Sequence, residues 1–159
     1  MTTAVRRANS GDLAVLLELV AEYCEADHHT FDPAVAHAGL EPLLGDDTYG
    51  AIWLIDPTEP ANGSDGLDGQ PSADGYIVVT WGWSIEIGGL EVVLDEFYVR
   101  SRGEGRGSEA LRIVESDCRR RGVKRIFLET ELANERARQL YERHGYRADD
   151  SIWMSKELS

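Results

Sequence analysis

Two groups of residues between positions 94 and 146 stand in a fixed order, and each has a chemistry. The first is Arg102-Gly103-Glu104-Gly105-Arg106-Gly107. Alternate glycines let a backbone approach a ligand closely and leave N–H groups pointing outward. The stretch Leu94-Asp95-Glu96-Phe97-Tyr98-Val99 ahead of the turn reads as a buried strand, and the stretch behind it reads as a helix. A helix start adds positive partial charge, so a pyrophosphate is the natural guest. Arg102 and Arg106 are placed to add charge-assisted contacts. The second group, Asn134-x-x-Ala137-x-x-Leu140-Tyr141-x-x-x-Gly145-Tyr146, sets a phenol on a downstream helix. Together they point to an enzyme that holds a diphosphate-bearing co-substrate and moves a group from it. A dinucleotide fold is disfavoured, because its glycine fingerprint belongs to the first strand–helix unit.

These residues need elements to position them. Ala4–Arg7 reads as a first strand, and Asn9 or Ser10 caps a helix carrying Leu13, Leu16, Leu17, Val20, Tyr23 and Cys24 at helical spacing. Asp32-Pro33 opens a second helix running to about Gly45. Ala51–Ile55 and Gly75–Thr80 read as strands, with Trp81 and Trp83 near the end of the second. Gly88-Gly89 turns the chain into a strand over Leu90–Arg100. Ser108–Arg121 is expected as a helix, Lys124–Thr130 as a strand and Asn134–His144 as a helix closed by Gly145. Tyr146–Arg147 and Ser151–Lys156 are expected as the last strands. The order β-α-α-β-β-β-α-β-α-β-β is a mixed α/β arrangement. The stretch from about 56 to 74 is dense in Gly, Pro, Asp and Ser and reads as a long mobile loop between strands.

At 159 residues the chain is expected to form one domain with a core of its own. Its net charge of −13 argues against nucleic acid and favours the approach of a cationic acceptor. Residues 100–125 nevertheless carry nine Arg or Lys beside the glycine turn, where an anionic ligand would want them. No apolar run approaches the roughly 20 residues of a membrane span. The first residues lack the apolar segment of a secretory signal, and Cys24 and Cys118 are too few for a disulfide framework. A cytoplasmic protein is expected. His28-His29 beside Asp27 has no second cluster at ligand spacing, so no metal is expected.

Residues 90–146 resemble the core of the GNAT superfamily of acetyl-CoA-dependent N-acetyltransferases. The family signature Gln/Arg-x-x-Gly-x-Gly/Ala is matched by Arg102 to Gly107, and its later Asn-x-x-Ala-x-x-Leu-Tyr-x-x-x-Gly-Phe pattern by Asn134 to Tyr146, with Tyr for the final Phe. One departure is that only Arg100 and Ser101 separate Val99 from Arg102, fewer than the family usually has. The resemblance implies a single N-acetyltransferase domain over residues 1–159. Its fold would be a central mixed, twisted sheet of about six to seven strands flanked by about four helices. The family often pairs through edge strands, which implies a homodimer.

The resemblance also assigns roles. Phe97, Tyr98 and Val99 would pair through their backbone with pantetheine, and Arg102, Gly103, Glu104, Gly105, Arg106, Gly107 and Ser108 would hold the pyrophosphate. Asn134 and Ala137 would lie beside the distal pantetheine. Tyr141 would protonate the departing thiolate, a task that suits a phenol whose pKa is about 10. The acceptor amine must lose a proton, and Asp95 and Glu96 are the candidate bases. Strand alternation sends them to opposite faces, and a bulge would swap which one enters the cleft. Both stay open. A shorter similarity, in Leu94–Val99 with Gly107-Ser108-Glu109, is to the diamine (polyamine) acetyltransferase branch. Tyr23, Glu25, Asp27, His28, Phe31, Trp81, Trp83 and Glu86 are candidates for an aromatic, acidic acceptor pocket. The expected reaction is acetyl transfer from acetyl-CoA to a primary amine of a small molecule or peptide, by direct attack in a ternary complex. Alternatives are a non-catalytic acyl-CoA-binding module and an acyltransferase using another acyl-CoA.

Overall fold

The computed structural model describes residues 3–57, 72–100 and 103–158. The chain divides into two compact units, Met1–Glu129 and Thr130–Ser159. The first unit holds a five-stranded sheet in the order β1 (Val5–Arg7), β2 (Gly50–Ile55), β3 (Gly75–Ser84), β4 (Gly89–Val99), β5 (Arg125–Phe127). The first four strands pair antiparallel and β5 runs parallel to β4, so the sheet is mixed. Six to seven strands were expected and five form among the described residues.

Helices cover both faces. α1 (Leu13–Ala26) follows a 3-10 turn capped by Asn9, whose side chain accepts from Gly11 N–H while Asp12 accepts from Asn9 N–H. α2 (Pro33–Gly45) starts where expected: Asp32 accepts from the amides of Ala34 and Val35, and Pro33 sits in the first turn. Leu16, Leu19 and Val20 of α1 and Leu40 and Leu44 of α2 pack on Ile52, Leu54, Tyr76 and Val78. The alternate residues point to the other face, as the pleat requires. There Trp53 donates its indole N–H to Asp117 of α3 (Arg106–Arg120) at 2.8 Å. β2 is buried along its length, which is why it reads as a continuous apolar run.

Several boundaries moved, and β3 runs on to Ser84, four residues past the expected Thr80. α3 starts at Arg106, ahead of the expected Ser108, because Gly105 at φ +76° lets the chain enter the helix straight from the turn. β5 ends at Phe127, short of the expected Thr130. The expected loop at 56–74 falls mostly outside the described residues, at 58–71. Its described ends are tied: Asp56 N–H donates to Ala4 C=O at 2.9 Å and Asp74 N–H to Ile55 C=O at 2.7 Å.

The second unit contains α4 (Glu135–Arg143), capped by Asn134, whose Oδ1 accepts from Ala137 N–H at 3.1 Å. Gly145 at φ +89° closes it, and Tyr146 N–H donates to Tyr141 C=O at 3.0 Å. The strands expected at Tyr146–Arg147 and Ser151–Lys156 do not form among the described residues. A strand exists only with a ladder partner. Residues 147–158 are exposed throughout, and Ile152-Trp153-Met154 is an apolar run without the alternation that pins a register.

Candidate functional site

The β3–β4 ladder is interrupted at one place. Val79 pairs with Leu94 and Val78 with Glu96, so Asp95 is an extra residue on β4, a bulge. Strict alternation would put Leu94, Glu96 and Tyr98 on one face. Directly opposed residues share a face. Leu94 therefore goes with Val79 to the α3 side, while Glu96 goes with Val78, and Tyr98 with Tyr76, to the α1–α2 side. Phe97 and Val99 end on the α3 side, and Asp95 is exposed.

Glu96 is half-buried among aromatic residues. Tyr76 donates its O–H to Glu96 Oε2 at 2.7 Å. The Tyr98 ring lies 6.3 Å from those of Tyr76 and Tyr23, and Tyr23 meets His29 edge-on at 6.4 Å. Tyr98 also donates to Glu22 at 3.2 Å, and Arg100 grips the same carboxylate at 2.6 and 2.7 Å. Loss of water raises the Glu96 carboxyl above the usual glutamate range; Tyr76 and His29 oppose that shift and Asp95 adds to it. The Arg100 guanidinium, by contrast, holds Glu22 below its ordinary value. Burial, together with the Glu96 charge, drives the Tyr76 phenol far above the ordinary tyrosine range. Cys24 is raised by burial and by the Glu96 charge.

β4 meets β5 over three residue pairs only, the last being Val93 with Phe127. From Leu94 to Val99 it runs on beside β3 alone. Its other edge therefore has no strand partner among the described residues. That edge leads to the glycine turn, where Gly103 (φ +103°) and Gly105 adopt the left-handed conformation with open space where a Cβ would be. Gly105 is the N-cap of α3 and brings no side-chain cap of its own to the first helical turn. Gly107 lets α3 close on the strand: a Cβ there would lie 3.3 Å from Phe97 Cζ and 3.7 Å from Val99 Cγ2. Glu104 is exposed, and Arg102 lies outside the described residues.

Arg106 departs from expectation. Its side chain is 6% exposed and turned inward, bonded to the Asp74 carboxylate and the Asp56 carbonyl. A buried guanidinium needs an acid, and Asp74 supplies one from the far side of the 58–71 stretch, a partner that sequence position does not reveal. Only the backbone of Arg106 is left for an anion at the helix start.

In the second unit, Tyr141 packs against Tyr146 with ring centroids 5.6 Å apart, and burial pushes its phenol up to about 12. Asn134 and Ala137 are joined to each other by the cap bond.

The expected acceptor residues do not all gather. Tyr23 and Phe31 pack on the α1–α2 core, and His28 takes a positive φ of 57° just past α1. Asp27 lies 3.5 Å from His29, and Glu25 is exposed. Trp81 and Trp83 sit three and five residues beyond Val78 on β3, about 10 and 16 Å along the strand. There Trp81 donates to Asp47 C=O at 2.9 Å under Arg121, Trp83 is 74% exposed, and Glu86 pairs with Arg125. Tyr76, Glu22 and the Tyr98 side chain join the Glu96 cluster without having been singled out for it. Their common signal is the β3–β4 register, which no single sequence displays. No group of three or more potential metal ligands occurs among the described residues, and none of their helices is long and apolar enough to cross a membrane.

The sequence pattern of the Acetyltransferase (GNAT) family matches residues 66–146. A search of curated proteins finds no match. Among solved structures, an integron cassette protein from the mobile metagenome of Cole Harbour Salt Marsh is 32% identical, with a TM-score of 0.80 over 98% of this chain and 90% of that one. A possible acetyltransferase from Clostridium difficile 630 is 18% identical with a TM-score of 0.79, each chain covered in full. A ribosomal-protein-alanine N-acetyltransferase from Brucella melitensis biovar Abortus 2308 is 18% identical with a TM-score of 0.73, over 99% of this chain and 100% of that one. The last two likenesses speak to the fold alone. With the mixed sheet, the glycine turn at the α3 start and a pattern covering half its length, the chain belongs to the GNAT acetyltransferase family, whose reaction is acyl transfer.

Proposed function

We propose that the chain transfers an acetyl group from acetyl-CoA to a primary amine of a small molecule or peptide, within a ternary complex. The observation that carries this reading is Glu96, a half-buried acid behind a bulge, on a strand whose far edge has no strand partner among the described residues as it nears the glycine turn.

Acetyl-CoA, when bound, supplies an acetyl group activated as a thioester. The residues present fit such a molecule: open left-handed glycines leading into the start of α3, whose N-cap is itself a glycine, suit a pyrophosphate. Gly103, Gly105, Gly107 and Ser108 would hold it through the turn and helix amides, with Arg106 contributing backbone only and Arg102 its guanidinium. The backbone of Phe97, Tyr98 and Val99 would meet pantetheine along that edge of β4. Glu96 would take a proton from the acceptor ammonium, freeing the nitrogen lone pair. Its raised pKa brings the base closer to neutral pH, where proton transfer is most effective. Tyr141 would give its proton to the sulfur, and a phenol pushed up to about 12 arrives protonated at any physiological pH. Asp95, exposed on the bulge, is the weaker candidate for the base.

Isothermal titration with acetyl-CoA, followed by CoA release over an amine panel, tests the reading. Binding in the range of about 1 μM to 1 mM is expected. Absence of binding at the top of that range sinks the proposal, and binding with no release for any amine sinks the transferase part of it.

A further inference from the structure

We propose that Tyr76 is a positioning residue for the transfer: it holds one oxygen of Glu96 from inside the core and leaves the other to receive the acceptor's proton. This rests on the reading of Glu96 as the base. Tyr76 is fully buried on β3 and pairs with Tyr98, two residues from the Val78–Glu96 pair. That places Tyr76 and Glu96 diagonally on one face, within reach of long side chains. The bond goes to Oε2 at 2.7 Å, and no hydrogen bond to Oε1 occurs among the described residues. A phenol can only donate to a carboxylate, and its proton is held far too tightly to leave. The contact is therefore a permanent donor that favours the charged, proton-accepting form.

The groups around Glu96 are few. Asp95 on its own strand disfavours its charge, His29 beyond α1 favours it, and Cys24 on α1 feels its field, as does Tyr76 on β3. Tyr23 on α1 and Tyr98 on β4 supply rings. Tyr76 is the only hydrogen-bond donor to the carboxylate among the described residues. Removing it should leave Glu96 protonated to higher pH.

The experiment is the pH profile of kcat in the Tyr76→Phe variant, read beside a carbon-13 NMR titration of the Glu96 side-chain carboxyl. The acid limb is expected to move up by about one unit, roughly a tenfold loss at a fixed pH on that limb. The alkaline plateau should stay within a few fold and the KM for acetyl-CoA should hold. A purely structural role would lower kcat at all pH values and leave the limb in place. If the Glu96 carboxyl titrates at its old pH in the variant, the proposal is overturned. If that titration moves and the acid limb does not, Glu96 is not the base, and the underlying reading fails. Should Tyr76→Phe not fold, difluorotyrosine at position 76 keeps the ring and strengthens the donor. The limb should then move down; a limb that stays put overturns the proposal.

Discussion

Glu96 occupies a place that disfavours its own charge, and this has a consequence for stability. Its pKa in the folded chain lies above the unfolded value because burial outweighs Tyr76 and His29. Such a group favours the fold while protonated, and that contribution is lost as pH rises through the folded value. Glu96→Gln, neutral at every pH, should therefore lower kcat by about 10² or more while leaving stability at pH 8 equal to or above the parent's. Urea midpoints at pH 4 and pH 8 check this; a variant relatively weaker at pH 8 than at pH 4 contradicts it. At this scale the sequence showed the acidic pair but not the choice between its members. What favours Glu96 in the proposed reading is the bulge and the bond from Tyr76, both set by the β3–β4 register. The place of the Arg106 side chain was hidden for a similar reason. An arginine in a glycine turn looks like a phosphate ligand until Asp74 and the Asp56 carbonyl are seen to claim it.

Among the elements, the bulge on β4 permits a sharp test. Deleting Asp95 would make Leu94–Val79 and Glu96–Val78 consecutive rungs of a regular ladder, with every side chain still on its present face. The core on both sides is thus preserved, while the bend that a bulge imposes is removed. The deletion variant should melt at or above the parent temperature by circular dichroism, yet lose about 10² in CoA release, as misplacement by an ångström does. Retained activity would show that the bulge merely accommodates the sequence. The elements that were legible carry local signals: the Asp32-Pro33 start of α2, the all-apolar β2 and the Asn134 and Gly145 ends of α4. The C-terminal strands were not legible, because a run such as Ile152-Trp153-Met154 says nothing of whether a partner edge is there to receive it.

Charge is a property of the whole molecule. The chain carries −13 overall but concentrates arginine around the turn that suits an anion. A cationic acceptor is attracted by the net charge, and salt screens that attraction beyond about 10 Å at 0.1 M. The KM for a diamine acceptor should rise several-fold from low salt to about 0.3 M, while that for an amine uncharged at the assay pH stays level; equal behaviour of the two would remove any role for long-range steering. The mixed α/β order was legible at this scale because helical and strand periods alternate along the chain, and the family was legible from two spaced motifs. The strand count was not. Arg106, finally, bears on engineering. Its guanidinium ties the Asp56 and Asp74 ends of the 58–71 stretch to α3, and Asp74 N–H closes onto Ile55 C=O. The two feet are thus joined to each other and to α3 by contacts among the described residues. A reporter peptide or affinity tag spliced in between these feet should leave the thermal midpoint near the parent's, since the length of a flexible insert enters its closure cost only as a logarithm.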